Sequence, residues 1–330
     1  MLVLGVFFRA HAVSLSENFS TNPAQNAWQM FGNTNLFIWN SSSQQLNVTW
    51  DSTQPNSYFY RSLPWYLTRY DDFRIEFDLS LIDIASGVEP GKTGPLQIGF
   101  GFLNIAGATS TNFMRGSFGS APNVAEFDYY AHGYYVFGET TYDSPPATPP
   151  AFISGVNSFD YAPAVIGVYD NELPTNQPVH VIFSFNGSNQ TASVSVTASN
   201  GLPGQFPDLV LNASNGFQPL DDFHVDIFSI SSYSSAGDDF DSILAHGWVD
   251  NVAVTLPPPA QNLRGGFTNG AWQVQFSDRL NWNYTLERTT NWTTWIPVTL
   301  PVSGNGTNLA LLDTNAPVAN AFYRVSASRP

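Results

Sequence analysis

Hydrophobic and polar residues alternate along most of this chain with a period of two, the spacing that puts successive side chains on opposite faces of a β-strand. Runs of this kind, rich in aromatic and β-branched residues and cut by Gly, Pro, Asn and Ser, occupy 36–39, 45–50, 73–81, 96–103, 179–185, 191–197, 223–229 and 248–255. No stretch carries a convincing apolar stripe of period 3.6, so no amphipathic helix is predicted. Strands at such spacing, with no helical crossovers between them, predict antiparallel sheets packed face to face. The runs 179–185 and 191–197 flank Asn186-Gly187-Ser188-Asn189, which predicts a hairpin whose tip uses Gly187 for positive φ. The stretch 142–163 holds Pro145, Pro146, Pro149, Pro150 and Pro163, which predicts a long loop over a sheet.

Near Leu256 the pattern stops at Pro257-Pro258-Pro259 and starts afresh at Leu263. Consecutive prolines favour an extended, semi-rigid connector. The predicted organisation is therefore a first domain over 14–256, a linker over 257–262 and a small β-sandwich over 263–330. Most aromatics of that last segment, Trp272, Trp282, Tyr284, Trp292, Trp295, Phe322 and Tyr323, are needed for its core, which leaves room for a tryptophan exposed for ligand stacking. Residues 1–13 read as a signal-peptide remnant, an apolar run ending in the small-x-small triplet Ala10-His11-Ala12, and predict a secreted protein, with a first buried strand as the alternative.

Composition narrows the partners. The 330 residues carry a formal charge of -15, with 23 acids against 6 bases before residue 260 and 3 against 5 after it. Nucleic acid and anionic membrane surfaces are excluded as expected partners on charge. No apolar run reaches the roughly 18 residues of a membrane span. With no cysteine, disulfides, zinc-thiolate sites and thiol nucleophiles are excluded.

Charged residues make up only 11% of the chain, so two acids on one strand face call for a reason. The stretch 123–137, NVAEFDYYAHGYYVF, places Glu126, Asp128 and Tyr130 on one face and Phe127 and Tyr129 on the other. Such a strand suits a ligand or catalysis. A solvent-facing edge, or carboxyls held by neighbouring hydrogen bonds, is the plainer alternative. His180 and His224 lie in strand-like runs as structural residues, while His132, four residues after Asp128, is the histidine with a candidate role.

Three segments, 124–129 (VAEFDY), 165–170 (VIGVYD) and 179–196 (VHVIFSFNGSNQTASVSV), resemble the concanavalin A-like lectin/glucanase superfamily in the order found in leguminous-type lectins. The closing stretch 246–255 (HGWVDNVAVT) is similar to the last strand of many exported bacterial sandwich domains. The resemblance implies an all-β, jelly-roll sandwich for the first domain. The C-terminal segments 284–290 (YTLERTT), 291–297 (NWTTWIP) and 322–325 (FYRV) resemble a module of exported Verrucomicrobia-type proteins that has no defined activity.

The superfamily implies two chemistries. In the lectins the equivalents of Glu126 and Asp128 help bind calcium and a transition metal, but the further ligand positions correspond here to His132, Phe137 and Val165. A transition metal is not expected. Calcium, held by Glu126 and Asp128 with Asp170 and Asn171 or with Asp238, Asp239 and Asp241, stays open. In the glucanases the pattern is E-x-D-x-x-E, and Ala131 stands where the acid/base would be. A bulge would bring His132 there, and Glu139 is a further substitute. The reading carried forward is a secreted, non-catalytic carbohydrate-binding protein that engages polysaccharide or glycan through Tyr130, His132, Tyr134 and Trp65, with Tyr129 and Tyr135 as further platforms. A structural surface or matrix protein and a divergent glycoside hydrolase using Glu126, Asp128 and His132 are the alternatives.

Overall fold

The computed structural model describes residues 13–114, 123–130, 152–154, 173–198, 203–205, 209–210, 223–236, 241–317 and 320–330. The chain falls into two compact units, one built from Ser14–Thr255 and one from Leu256–Pro330. Both are all-β. Among the described residues the longest α-helix is the single turn Ile105–Ala108, and no helix is long and apolar enough to cross a membrane.

The first unit is an antiparallel sandwich of jelly-roll type. One sheet runs in the order Pro203–Gln205, Thr191–Ala198, Val179–Asn186, Phe73–Ser86, Asp241–Leu256, Gln45–Asp51, Phe37–Asn40. The other runs Phe152–Ser154, Val124–Tyr130, Gln97–Leu103, His224–Ser232, Ser57–Thr68, Gln29–Phe31. Successive stretches of chain pass back and forth between the sheets, so neighbours in space are distant in sequence.

The alternation in the sequence becomes the core. Val179, Val181, Phe183 and Phe185 point inward from their strand and pair in register with Ala198, Val196, Val194 and Ala192. Aromatic rings from the two sheets meet between them: Phe77 stacks on Phe100 at 4.3 Å between centroids, and Phe73 meets Phe102 edge-on at 4.8 Å. Each such ring removes about 150–250 Å² from water, which makes these contacts the main source of cohesion.

The structure amends the expected elements. The 186–189 hairpin forms, but the left-handed residue is Gln190 at φ 56, not Gly187. Gly187 is needed because a Cβ there would run into the Tyr70 carbonyl and the Asp71 amide, 2.8 Å away. The strand expected at 248–255 begins at Asp241, and the twelve-residue strand Ser57–Thr68 was not anticipated at all.

The second unit packs a three-stranded sheet, Gln261–Thr268, Ala271–Ser277 and Asn308–Asp313, against a sheet centred on Asn283–Thr289. Phe322–Ser328 pairs along its whole length, and Ile296–Pro297 and Val302–Ser303 pair on its other side. Trp272 stacks on Tyr323 at 4.8 Å, and Phe276 meets Tyr284 at 5.1 Å. Tyr323 donates to Asp313, which also takes Arg288 at 2.6 Å, and burial followed by this carboxylate pushes the Tyr323 phenol up to about 12. The first strand starts two residues before Leu263, and the Pro259 carbonyl already accepts from Tyr284 Oη at 2.8 Å.

Candidate functional site: a buried polar layer on one sheet

Three adjacent strands of the six-stranded sheet position the acids. Val124–Tyr130 pairs with Gln97–Leu103, aligning Glu126 with Gly101 and Asp128 with Gly99. Gln97–Leu103 pairs in turn with His224–Ser232, aligning Gly101 with Ser229 and Gly99 with Ser231. Residues opposite one another across an antiparallel pair share a face. Phe100, Phe102 and Phe127 take the inner face toward the other sheet. The outer face therefore receives Gln97, Gly99, Gly101, Glu126, Asp128, Ser229 and Ser231.

That face is covered. Glu126 is 0% exposed, Asp128 2% and Gln97 0%. The expected alternative of acids on a solvent-facing edge is overturned, because Val124–Tyr130 lies between two partner strands and every residue from Val124 to Tyr129 is buried. Part of the cover is the 104–114 segment. Tyr58 Oη donates to the Ala108 carbonyl at 3.0 Å, Asn56 Nδ2 donates to the Phe113 carbonyl at 3.1 Å, and the Phe113 ring approaches Tyr233.

The Glu126 carboxyl is held in place. Tyr233 Oη donates to its Oε1, and Ser231 Oγ lies 3.4 Å from the same atom and 2.9 Å from Ser229 Oγ. The glycines make the space. A Cβ on Gly99 would lie 3.0 Å from Glu126 Oε1 and 2.9 Å from the Tyr233 ring, and one on Gly101 would lie 2.6 Å from Glu126 Cα. Only glycine lets the carboxyl lie flat over the neighbouring strand. Gln97 is different, since neither its Nε2 nor its Oε1 has a hydrogen-bond partner among the described residues. Leaving a buried amide without a partner costs stability.

The remaining sequence candidates divide into three groups. Tyr129 is part of the core, 0% exposed, with its hydroxyl accepting from the Leu173 amide at 3.2 Å, so it is no sugar platform. Trp65 lies half-buried on Ser57–Thr68, and two strands stand between it and the acid strand, about 14 Å of lateral separation at the usual strand spacing. Tyr130 pairs with Gln97 through its backbone, while its side chain lies outside the described residues, as do Ala131, His132, Tyr134, Tyr135, Phe137, Glu139, Val165, Asp170, Asn171, Asp238 and Asp239. Asp241 opens the Asp241–Leu256 strand and is buried there beside Gly94. His180 is bound to Asp78 at 2.7 Å and His246 to Asp83 at 2.7 Å, both on the other sheet.

Calcium requires six to eight oxygens. Among the described residues no group of three or more His, Asp or Glu is placed to hold a metal ion, and Glu126 Oε1 is already taken by Tyr233 and Ser231. Glu126 and Asp128 do not by themselves fit the ion.

Tyr233, Ser231, Ser229, Gln97 and the two glycines were missed from the sequence. Their signal is a second alternation laid over the first: QIGFGFL places Gln97, Gly99 and Gly101 between large apolar residues, and Ser229, Ser231 and Tyr233 repeat at the same period. Glycine within a strand pattern marks a close approach by a neighbouring group.

No protein-family model matches the chain, and no curated protein matches it in sequence. Among solved structures, peanut lectin with a nine-residue peptide is 18% identical, covers 75% of this chain and 99% of its own, and superposes with a TM-score of 0.42. Basic winged bean lectin with Tn-antigen is 14% identical, covers 75% of this chain and 100% of its own, with a TM-score of 0.42. Lectin II from Ulex europaeus is 13% identical, covers 73% and 98%, with a TM-score of 0.42. Likeness at this level says nothing of what this chain binds.

Proposed function

We propose that the first unit is a secreted carbohydrate-binding module that holds its ligand without cleaving it. The observation that carries this reading is the resemblance of 124–129, 165–170 and 179–196 to the lectin branch of the concanavalin A-like superfamily, in a first unit that folds as a jelly-roll sandwich. Two features support the absence of cleavage. Glu126 is tied to Tyr233 and Ser231 as a fixed hydrogen-bond acceptor, and Ala131 stands where a partner acid would complete the pair that glycosidases need. Secretion rests on the apolar start and Ala10-His11-Ala12.

The test is retention of the purified protein on a panel of plant, algal and bacterial polysaccharides, with reducing ends measured in parallel and with calcium or chelator present. Retention without new reducing ends is the expected result. Steady release of reducing ends that vanishes in Glu126→Gln would replace it with the hydrolase reading, and His132 and Glu139 would be the next positions to vary. No retention by any polymer would replace it with a structural role. Loss of retention in chelator, restored by calcium, would add the ion to the site.

A further inference from the structure

We propose a second, separate carbohydrate-binding surface on the outer face of the C-terminal unit, with Trp292 as its stacking platform and a neutral polysaccharide as its ligand. The inner face of the central sheet there is settled by Tyr284, Leu286 and Tyr323, which are buried. Alternation then turns Asn283, Thr285 and Glu287 outward, and the register pairs them with Ser328, Ser326 and Arg324, followed by Phe322 opposite Thr289. The result is a strip of small hydroxyl and amide groups about 20 Å long, closed at one end by aromatic rings.

The aromatic end is built rather than incidental. Trp292 is 44% exposed, rests on Phe322 with 3.8 Å between centroids, and meets Trp295 nearly at a right angle, 6.3 Å away. Its backbone takes φ 65, which glycine or asparagine adopts at less cost than a bulky aromatic. The turn that imposes this is held by Thr289 Oγ1, which accepts from the amides of Asn291 and Trp292, and by Asn291 Oδ1, which accepts from those of Thr293 and Thr294. Arg324 is fixed beside the rings, its guanidinium 4.3 Å from the Trp295 centroid and its Nε 2.6 Å from Glu287 Oε2.

The chemistry of the strip selects the ligand. Arg324 and Glu287 cancel in charge and offer an oriented donor next to an acceptor, which suits adjacent sugar hydroxyls, while the rest of the strip is uncharged. A ring with an aliphatic face would lie on Trp292. An anionic polymer finds no net positive charge here. A protein interface needs about 800 Å² per partner with an apolar centre, whereas apolar groups here give way within one strand to Ser, Thr and Asn.

The experiment uses the full chain in native gels cast with neutral β-glucan, neutral galactomannan or anionic alginate. Parent, Trp292→Ala, Trp292→Tyr, Ser326→Arg and the first-unit variant Gln97→Met are compared, with melting temperature and light scattering measured on each. Expected are retardation by a neutral polymer, about tenfold weaker binding in Trp292→Ala and Ser326→Arg at unchanged melting temperature, and near-parent binding in Trp292→Tyr. The proposal is overturned if the parent is retarded by no neutral polymer or only by alginate. It is equally overturned if the two strip variants, still folded, bind as the parent does, if binding falls only in Gln97→Met, or if Trp292→Ala changes the oligomeric state and nothing else.

Discussion

Replacing Tyr233 by Phe isolates one atom of the buried polar layer. The ring is 1% exposed and would keep its edge contact with Tyr58 at 6.1 Å and its approach to Phe113 at 6.5 Å, so no cavity is made. What is lost is the hydroxyl that donates to Glu126 Oε1, while Ser231 Oγ stays on that atom at 3.4 Å, a longer and weaker contact. Depriving a buried acceptor of its donor costs about 1–3 kcal/mol, toward the upper end for a carboxyl. For a unit of this size each kcal/mol lowers the melting temperature by about 2–4 °C, so a fall of about 4–8 °C is expected. The assay is thermal and urea unfolding of the full chain, followed by near-ultraviolet circular dichroism. A double-mutant cycle with Glu126→Met sharpens it. Because removing both partners leaves neither unsatisfied, the double variant should be less destabilised than the sum of the singles by about 1 kcal/mol or more. A Tyr233→Phe protein within about 0.5 kcal/mol of the parent, or an additive cycle, would show that the hydroxyl does not hold the carboxyl.

Three further outcomes are expected. Gly101→Ala would press a Cβ onto the backbone of Ala125 and Glu126, which is paired and cannot withdraw, and should cost about 2–3 kcal/mol, whereas Gly107→Ala meets nothing closer than Asn104 Oδ1 at 3.5 Å and should stay within about 0.5 kcal/mol; equal effects in a urea melt would refute the cradle. Asp250 has its carboxyl raised above the usual 3.8 by burial first, with Asp78 and Glu17 adding to the rise, so the unfolded chain releases this proton before the folded one does and stability falls as pH climbs from about 3.8 through the raised value; Asp250→Asn should remove that fall, matching the parent in acid and melting higher at neutral pH. A fragment of residues 14–256 should still unfold cooperatively, and a broad, featureless melt by calorimetry would show that the units depend on one another.

The parts of this fold that were legible are those where one strand states its own pattern. Val179–Asn186 and Thr191–Ala198 alternate cleanly and pair locally, so both strands and their hairpin follow from sequence. Ser57–Thr68 did not, because Pro64 and the polar pair Arg61-Ser62 interrupt its alternation where its pairing with His224–Ser232 slips between Val225 and Ile227. The first half of Asp241–Leu256 was hidden likewise by the irregularity at His246/Gly247, which resets the face each residue takes. That Glu126 and Asp128 share a face was readable; that the face is covered was not. The cover depends on Asn56 and Tyr58 reaching the 104–114 segment across about fifty residues of chain, a tertiary contact with no periodic trace.

The same sheet therefore divides its work between its faces. Phe100, Phe102 and Phe127 supply apolar burial on the inside, whose stabilisation grows with area and tolerates approximate geometry. Glu126, Asp128, Ser229, Ser231 and Tyr233 stand on the outside, where each group removed from water must be met by a partner at hydrogen-bond distance. An arrangement that buries five polar groups, and an amide with no partner among the described residues, costs more than apolar packing of the same volume. What it provides is a defined arrangement, since a buried polar network is satisfied only in the geometry where its members meet. This gives Gln97 a diagnostic place. Gln97→Met, which removes the amide and keeps its bulk, should raise the melting temperature of the full chain, and a fall would show that the amide is paired where it stands.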